Sequence, residues 1–254
     1  SRSFKMKPYA LIFAAGLGTR LKPLTDTMPK ALVPVGGVPL LERVILRLKE
    51  AGYRHIVVNV HHFAEQIIDF IEQNDSFGIS VAISDERDQL RETGGGIRHA
   101  AHLLSSDHFL VHNVDIISDL DIPLFEEKYL EAERELVSSE KPLLATILVS
   151  ERKTKRFFLF DNYNHLVGWT NIATGEVRSP FPDLNPDKYR KLAFAGIHII
   201  SERVFPIMEN WPERFSIVDF YLANCDKFII QGIEIPGLSI RDVGKIADLK
   251  QLNC

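Results

Sequence analysis

Short apolar runs alternate with amphipathic stretches through the first half of the chain. Tyr9–Phe13 is a β-rich run that ends in small residues. Over residues 39–51 the apolar positions are Leu40, Leu41, Val44, Ile45 and Leu48. That is the period of a helix with one buried face, with Pro39 suited to its first turn and Gly52 to the position after its last. His55–Val60 reads as a strand, 64–74 as a helix, 80–84 as a strand, 94–104 as a helix and His108–Asn113 as a fourth strand. Strands and helices in this order predict right-handed crossovers and a parallel sheet. Ligands of such sheets bind beyond the C-terminal ends of the strands, which here means residues 14–20 and 113–115.

The second half has a different texture. Residues 143–149, 156–160, 166–169 and 193–200 are strand-like, with turn residues at 161–164 between two of them. Residues 179–188, rich in proline and aspartate, read as a long loop, and 215–224 and 245–252 as helices. The predicted fold is α/β: a Rossmann-like, mostly parallel sheet with helices on both faces and a smaller antiparallel lobe. No internal repeat is visible, and no hexapeptide pattern of a β-helix stands near the C-terminus.

Composition narrows the function classes. The 254 residues carry a net charge of −4, which argues against a nucleic-acid surface while leaving room for a local basic pocket. Two cysteines, Cys225 and Cys254, make neither a disulfide framework nor a zinc spacing, and fit a reducing cytoplasm. The chain has no secretory signal pattern and no apolar run of the ~18 residues a membrane span needs, so a cytoplasmic location is expected. Met6 is expected to be the native start, with Ser1–Lys5 appended for expression.

The most informative string is Ala14-Ala15-Gly16-Leu17-Gly18-Thr19-Arg20-Leu21, with Pro29-Lys30 beyond it. Small residues after a strand let backbone N–H groups approach a phosphate or a base. Arg20 can fork phosphate oxygens, and Lys30 adds a second positive charge. The third glycine of a dinucleotide fingerprint is missing, and so is the Gly-Lys-Ser/Thr of a P-loop. The glycines alone read equally well as a simple turn. Asp115, after the fourth strand, is placed either to hold Mg²⁺ or to cap a turn. Asp242 by itself reads as a helix cap.

The whole string resembles the opening motif of the sugar-nucleotide pyrophosphorylases, nucleotidyltransferases that make activated sugars. Gly16, Gly18, Thr19, Arg20, Pro29 and Lys30 match its pattern. The resemblance implies that Arg20 and Lys30 hold the triphosphate, with Ala14, Ala15, Gly16, Gly18 and Thr19 around the nucleotide. It implies Mg²⁺ on Asp115 and Asp242, although Val114 and Lys245 replace the family's glycine and threonine beside them. Glu86, Thr93 and Gly94 would line the base pocket. On the sugar side it points to Asn113, Ala195, Gly196 and Arg152. A nucleotide half of about 6–140 and a sugar-binding lobe of about 141–240 would form one domain over 6–254. The wording of residues 92–97 looks most like the N-acetylmuramate 1-phosphate uridylyltransferase branch, which would place the enzyme in cell-wall sugar recycling. The family's Glu-Lys pair before the second lobe is absent. In its place stands Glu151-Arg152-Lys153-Thr154-Lys155-Arg156, which reads either as a sugar-phosphate contact or as a solvated hairpin face.

The reaction so implied joins a nucleoside triphosphate to a sugar 1-phosphate, with no protein nucleophile and with catalysis by positioning and charge neutralisation. The rival within enzymes is a guanylyl- or thymidylyltransferase for mannose or glucose 1-phosphate. The rival outside them is a nucleotide-sugar-binding regulator. A glycosyltransferase would need Asp119-Leu120-Asp121 as its metal motif. His61 and His62 match no zinc spacing, and Trp169 and Trp211 read as packing residues.

Overall fold

The computed structural model describes residues 8–244 and 246–252. Met6, Ser1–Lys5, Cys254 and Lys245, where the last helix is expected to begin, lie outside the described residues. The elements in chain order are β1 (Tyr9–Phe13), β2 (Pro34–Val35), β3 (Val38–Pro39), α1 (Leu40–Glu50), β4 (His55–Val60), α2 (Ala64–Gln73), β5 (Ser80–Asp85), α3 (Glu92–His99), β6 (His108–Asn113), β7 (Ile116–Ser118), α4 (Ile122–Leu136), β8 (Leu143–Ser150), β9 (Arg156–Phe160), β10 (Leu166–Asn171), β11 (Val177–Arg178), β12 (Arg190–Ser201), α5 (Val204–Met208), α6 (Ile217–Asn224), β13 (Ile229–Glu234), β14 (Ile240–Asp242) and α7 (Ile246–Leu252).

A ten-stranded sheet runs β11-β10-β9-β12-β6-β1-β4-β5, with β8 beside β12 and β13 beside β8. The segment β6-β1-β4-β5 is parallel, as the alternation of strands and helices predicts. Strands β9, β10 and β11 are antiparallel and continue the same sheet through β12. Strand β12 is the joint. Its first residues pair with β9 and its last with β6, while β8 follows its other edge. The change of partner falls at Gly196, whose φ of +77° suits glycine and whose neighbours would crowd any Cβ.

Alternation along each strand divides the core between the two faces. Ala10, Ile12, Ile56, Val58 and Leu110 pack with α1, α2 and α4, whereas Leu11, Val57, Phe109 and Val111 pack with α3, α5 and α6. The α/β architecture with helices on both faces is the one expected. Helix α4 and strand β13 fall outside the sequence reading above. The signal for α4 was present: Asp121 caps Leu124 N–H at 3.0 Å, Pro123 sits in the first turn, and Phe125, Tyr129 and Ala132 recur on the buried side.

Helix α3 owes its position to glycine. The N–H groups of Gly94 and Gly95 both donate to the Phe215 carbonyl, at 2.9 and 3.1 Å. A Cβ at Gly94 would stand 2.3 Å from the Phe215 ring, and one at Gly95 would stand 2.4 Å from the Glu213 carbonyl oxygen. Alanine within a helix ordinarily gains about 1 kcal/mol over glycine. At Gly95 the opposite sign is expected. Gly95→Ala should destabilise by about 1–3 kcal/mol, because backbone has to move to admit the methyl group. Urea unfolding measures it, and a variant as stable as the parent would refute the close-packing account.

Candidate active site

The loop after β1 is held from below. Asn59, fully buried at the end of β4, accepts the N–H groups of Ala14 and Ala15 on its Oδ1, at 2.6 and 3.1 Å. Ala14 and Ala15 are therefore buried framework with their amides engaged. The next three amides, of Gly16, Leu17 and Gly18, have no protein acceptor among the described residues. Gly18 takes φ +65°, and its carbonyl accepts the Thr25 hydroxyl at 2.6 Å. A Cβ on Gly18 would stand 2.8 Å from the Thr25 methyl group. Such a run of unpaired amides is a ready anion cradle. Thr19 and Arg20 follow it, exposed. Lys30 reaches back so that its Nζ lies 3.5 Å from the Cβ position of Gly16.

The β7–β14 ribbon brings Asp242 beside Asp115. Asp242 pairs with Ile116, and Val243 N–H donates to the Asp115 carbonyl at 2.8 Å. The Lys30 ammonium donates to Asp115 Oδ2 at 2.9 Å. Asp242 Oδ1 is buried with no hydrogen-bond partner among the described residues. Burial, then the Asp115 charge, pushes the Asp242 carboxyl above its ordinary range, while Arg152, Arg20 and Lys30 pull it back. Arg20 belongs to the same cluster: its Nη2 lies 2.6 Å from where a Cβ on Gly244 would stand, and Asp242 Oδ1 lies 2.9 Å from that point. Four residues remote in sequence thus meet at one place. Among the described residues no third His, Cys, Asp or Glu completes a protein-only metal cage.

This cluster opens into a cavity of about 650 Å³. Arg20, Arg152, Lys153, Arg156 and Arg241 line it, against the two carboxylates Asp242 and Asp248. None of the five cations has a carboxylate partner among the described residues. On a chain of net charge −4, that is a concentrated anion-binding surface. Phe157, Phe158, Trp169, Phe194 and Val218 form its apolar wall. Trp169 is thus a cavity residue, whereas Trp211 packs against Phe215 and Phe220 as expected. At the β12 joint, Ala195 is buried in the core and the cavity is met instead by Ala193 and Phe194. Asn113 and Gly196 lie together, with Asn113 Nδ2 2.9 Å from the Cβ position of Gly196.

The residues expected on the base side have partners within the frame. Glu86 is fully buried, and both its oxygens are engaged: Oε1 accepts Arg91 N–H and Oε2 accepts Asn59 Nδ2–H, each at 3.0 Å. It braces the loop before α3 and presents no free edge. Thr93 Oγ1 accepts Ile217 N–H at 2.8 Å, tying α3 to α6, and Gly94 faces Phe215. The signal missed was Asn59, a polar residue inside an otherwise apolar strand. Other polar candidates also serve the frame. His61 bonds the Glu86 carbonyl at 2.6 Å and His62 that of Thr25 at 3.2 Å. Asp119 accepts Ser239 N–H at 2.8 Å and Asp121 caps α4.

Comparison with known proteins agrees with this geometry. The N-acetylmuramate α-1-phosphate uridylyltransferase of Caulobacter vibrioides is 46% identical over 110 residues, which is 42% of this chain and 46% of that protein. The protein of the same description from Neisseria meningitidis is 44% identical over 112 residues, 44% of this chain and 48% of that one. The chain thus matches about half the length of these curated relatives. The crystal structure of HddC from Yersinia pseudotuberculosis complexed with GMP-PN superposes with a TM-score of 0.73 at 22% identity, covering 97% of this chain and 98% of that one, which is a likeness of fold. The family model described as nucleotidyl transferase matches residues 9–158, from β1 through the parallel sheet to the cavity wall on β9, and the chain belongs to that family.

Proposed function

We propose that the chain is a Mg²⁺-dependent nucleotidyltransferase that joins a nucleoside triphosphate to a sugar 1-phosphate and releases pyrophosphate. The observation that carries this reading is the meeting of Arg20, Lys30, Asp115 and Asp242 at the mouth of a cation-lined cavity. The donor set suits Mg²⁺, since both ligands are carboxylates and the buried, unpartnered Oδ1 of Asp242 needs a cation. Bound between Asp115 and Asp242, the ion would neutralise and orient phosphate oxygens.

The chain's own residues account for the rest. The unpaired amides of Gly16, Leu17 and Gly18 receive triphosphate oxygens. Arg20 and Lys30 offset the charge that builds when the sugar phosphate oxygen attacks the α-phosphorus. One P–O bond forms, the α–β bond breaks, and the electron pair leaves on pyrophosphate. Lys30 is poised for this on Asp115. Arg152, Lys153 and Arg156 meet the acceptor. For the substrates we favour UTP and N-acetylmuramate 1-phosphate, as the names of the two relatives suggest. The surplus of unpaired cations suits an acceptor that carries a carboxylate besides its phosphate.

Arg20→Ala should lower kcat by about 10²–10³-fold, as expected when a transition-state charge loses its partner. Arg20 is exposed, so stability should change by less than about 0.5 kcal/mol. Near-normal turnover in the folded variant would remove the central assignment. Asp115→Asn and Asp242→Asn should each cut Mg²⁺-supported pyrophosphate release on the order of 10²-fold or more, and chelation should silence the parent until Mg²⁺ is restored. Equal rates with and without divalent ions would exclude the paired-carboxylate site. A matrix of nucleoside triphosphates against sugar 1-phosphates should give its highest kcat/KM for UTP with N-acetylmuramate 1-phosphate. A preference for GTP with mannose 1-phosphate would replace the substrates and leave the reaction standing.

A further inference from the structure

We infer that Trp169 is the platform on which the sugar ring of the acceptor rests, and that Arg178 and Asp219 act as positioning residues that hold the indole in place; this rests on the transferase reading above. The cavity lining has two chemical parts. The cations Arg20, Arg152, Lys153 and Arg156 stand in it beside an apolar surface of Phe157, Phe158, Trp169, Phe194 and Val218, with Arg156 and Phe158 two apart on β9. A sugar 1-phosphate has the same division: a charged end, and a ring whose C–H face is apolar. With the phosphate among the arginines, the ring lies against the aromatic wall.

Within that wall Trp169 is the residue with built support. It sits on β10 directly opposite Arg178 of β11 and Phe158 of β9. The Arg178 guanidinium carbon lies 5.7 Å from the indole centroid, within cation–π range. Arg178 Nη2 in turn donates to Asp219 Oδ1 at 2.7 Å. Asp219 is anchored at the start of α6, where its N–H donates to the Ser216 hydroxyl at 3.1 Å. The indole is therefore fixed between a neighbouring strand and a helix on the same side of the sheet, yet it remains only partly buried and borders the cavity. The other tryptophan, Trp211, lines no part of this cavity. An aromatic ring with a cation over it and its border on an open cavity is partly preorganised for a ligand, because the contact restricts its rotamers before the ligand arrives.

The test separates ring recognition from folding and from chemistry. Steady-state constants are measured for the parent, Trp169→Leu, Trp169→Phe, Arg178→Gln and Arg178→Lys, with the triphosphate and sugar 1-phosphate that the parent uses best. Trp169→Leu should raise the KM for the sugar 1-phosphate by about tenfold and leave the KM for the triphosphate unchanged. Trp169→Phe should keep most of the parent's acceptor affinity. Arg178→Gln should raise acceptor KM by a smaller factor, and Arg178→Lys should recover it. In Trp211→Phe, Trp169 is the single tryptophan. With a non-hydrolysable triphosphate analogue present, the same sugar 1-phosphate should quench its emission, and glycerol 1-phosphate, which has the phosphate but no ring, should not. An acceptor KM within twofold of the parent in folded Trp169→Leu, or unchanged emission at saturating sugar 1-phosphate, overturns the platform while the transferase reading stands. If Trp169→Leu does not fold, the emission titration decides alone. A parent that releases pyrophosphate from no triphosphate and sugar 1-phosphate pair overturns both.

Discussion

The parallel half of the sheet hangs on one buried side chain. Asn59 takes the N–H groups of Ala14 and Ala15 on its oxygen and gives its own N–H to Glu86, whose second oxygen holds Arg91 N–H. One amide and one carboxylate thus tie together the C-terminal ends of β1, β4 and β5. Each of these groups is buried, and each would cost about 1–3 kcal/mol if left unpaired. Burial pushes the Glu86 carboxyl upward, while the bonds from Arg91 N–H and Asn59 draw it back. The consequence for the site is directional. With the Ala14 and Ala15 amides turned down to Asn59, the chain must rise over Gly16 and Gly18, and the amides that follow are left to face a ligand.

What stands above that frame is crowded charge. Asp115 and Asp242 are adjacent because the β7–β14 ribbon sets their backbones side by side, and two carboxylates so placed repel. The ammonium of Lys30 on Asp115, with Arg20 and Arg152 near Asp242, offsets that repulsion in the free protein. The same cations are the ones a triphosphate and a sugar phosphate would recruit. The site is therefore a set of charges in partial balance. Glycine at 244 belongs to this balance, since a side chain there would stand where the Arg20 guanidinium and Asp242 meet.

The parallel half of the fold was legible in the sequence, because α1, α2 and their strands carry clean periods and boundary residues. The loop after β1 was legible for a different reason: its glycines, Thr19, Arg20 and Lys30 match the opening motif of the family to which the chain belongs. The base-side residues stand out in the sequence, but their partners within the frame do not. Glu86 and the glycines at 94–96 look like ligand contacts in a linear string. Only the fold reveals that Asn59, Arg91, Glu213 and Phe215 already occupy them. Pairings between residues more than a hundred positions apart leave no local trace. Trp169 was underread for the same cause, since its border on the cavity depends on β9, β12 and α6 all arriving at one wall.

The change of strand direction at β12 divides the work of the site. In the parallel part, strand ends deliver backbone: amides above Asn59 and a carboxylate at the tip of β6. Backbone amides can recognise phosphate whatever side chains surround them. In the antiparallel part, side chains do the work, because alternate residues of β9 and β10 face one wall. Arg156 and Phe158 stand two apart on β9, opposite Asn171 and Trp169 of β10, so charge and aromatic surface come from one strand face at adjacent heights. Gly196, at the bend where β12 leaves β9 for β6, is what lets one strand join the two parts of the sheet.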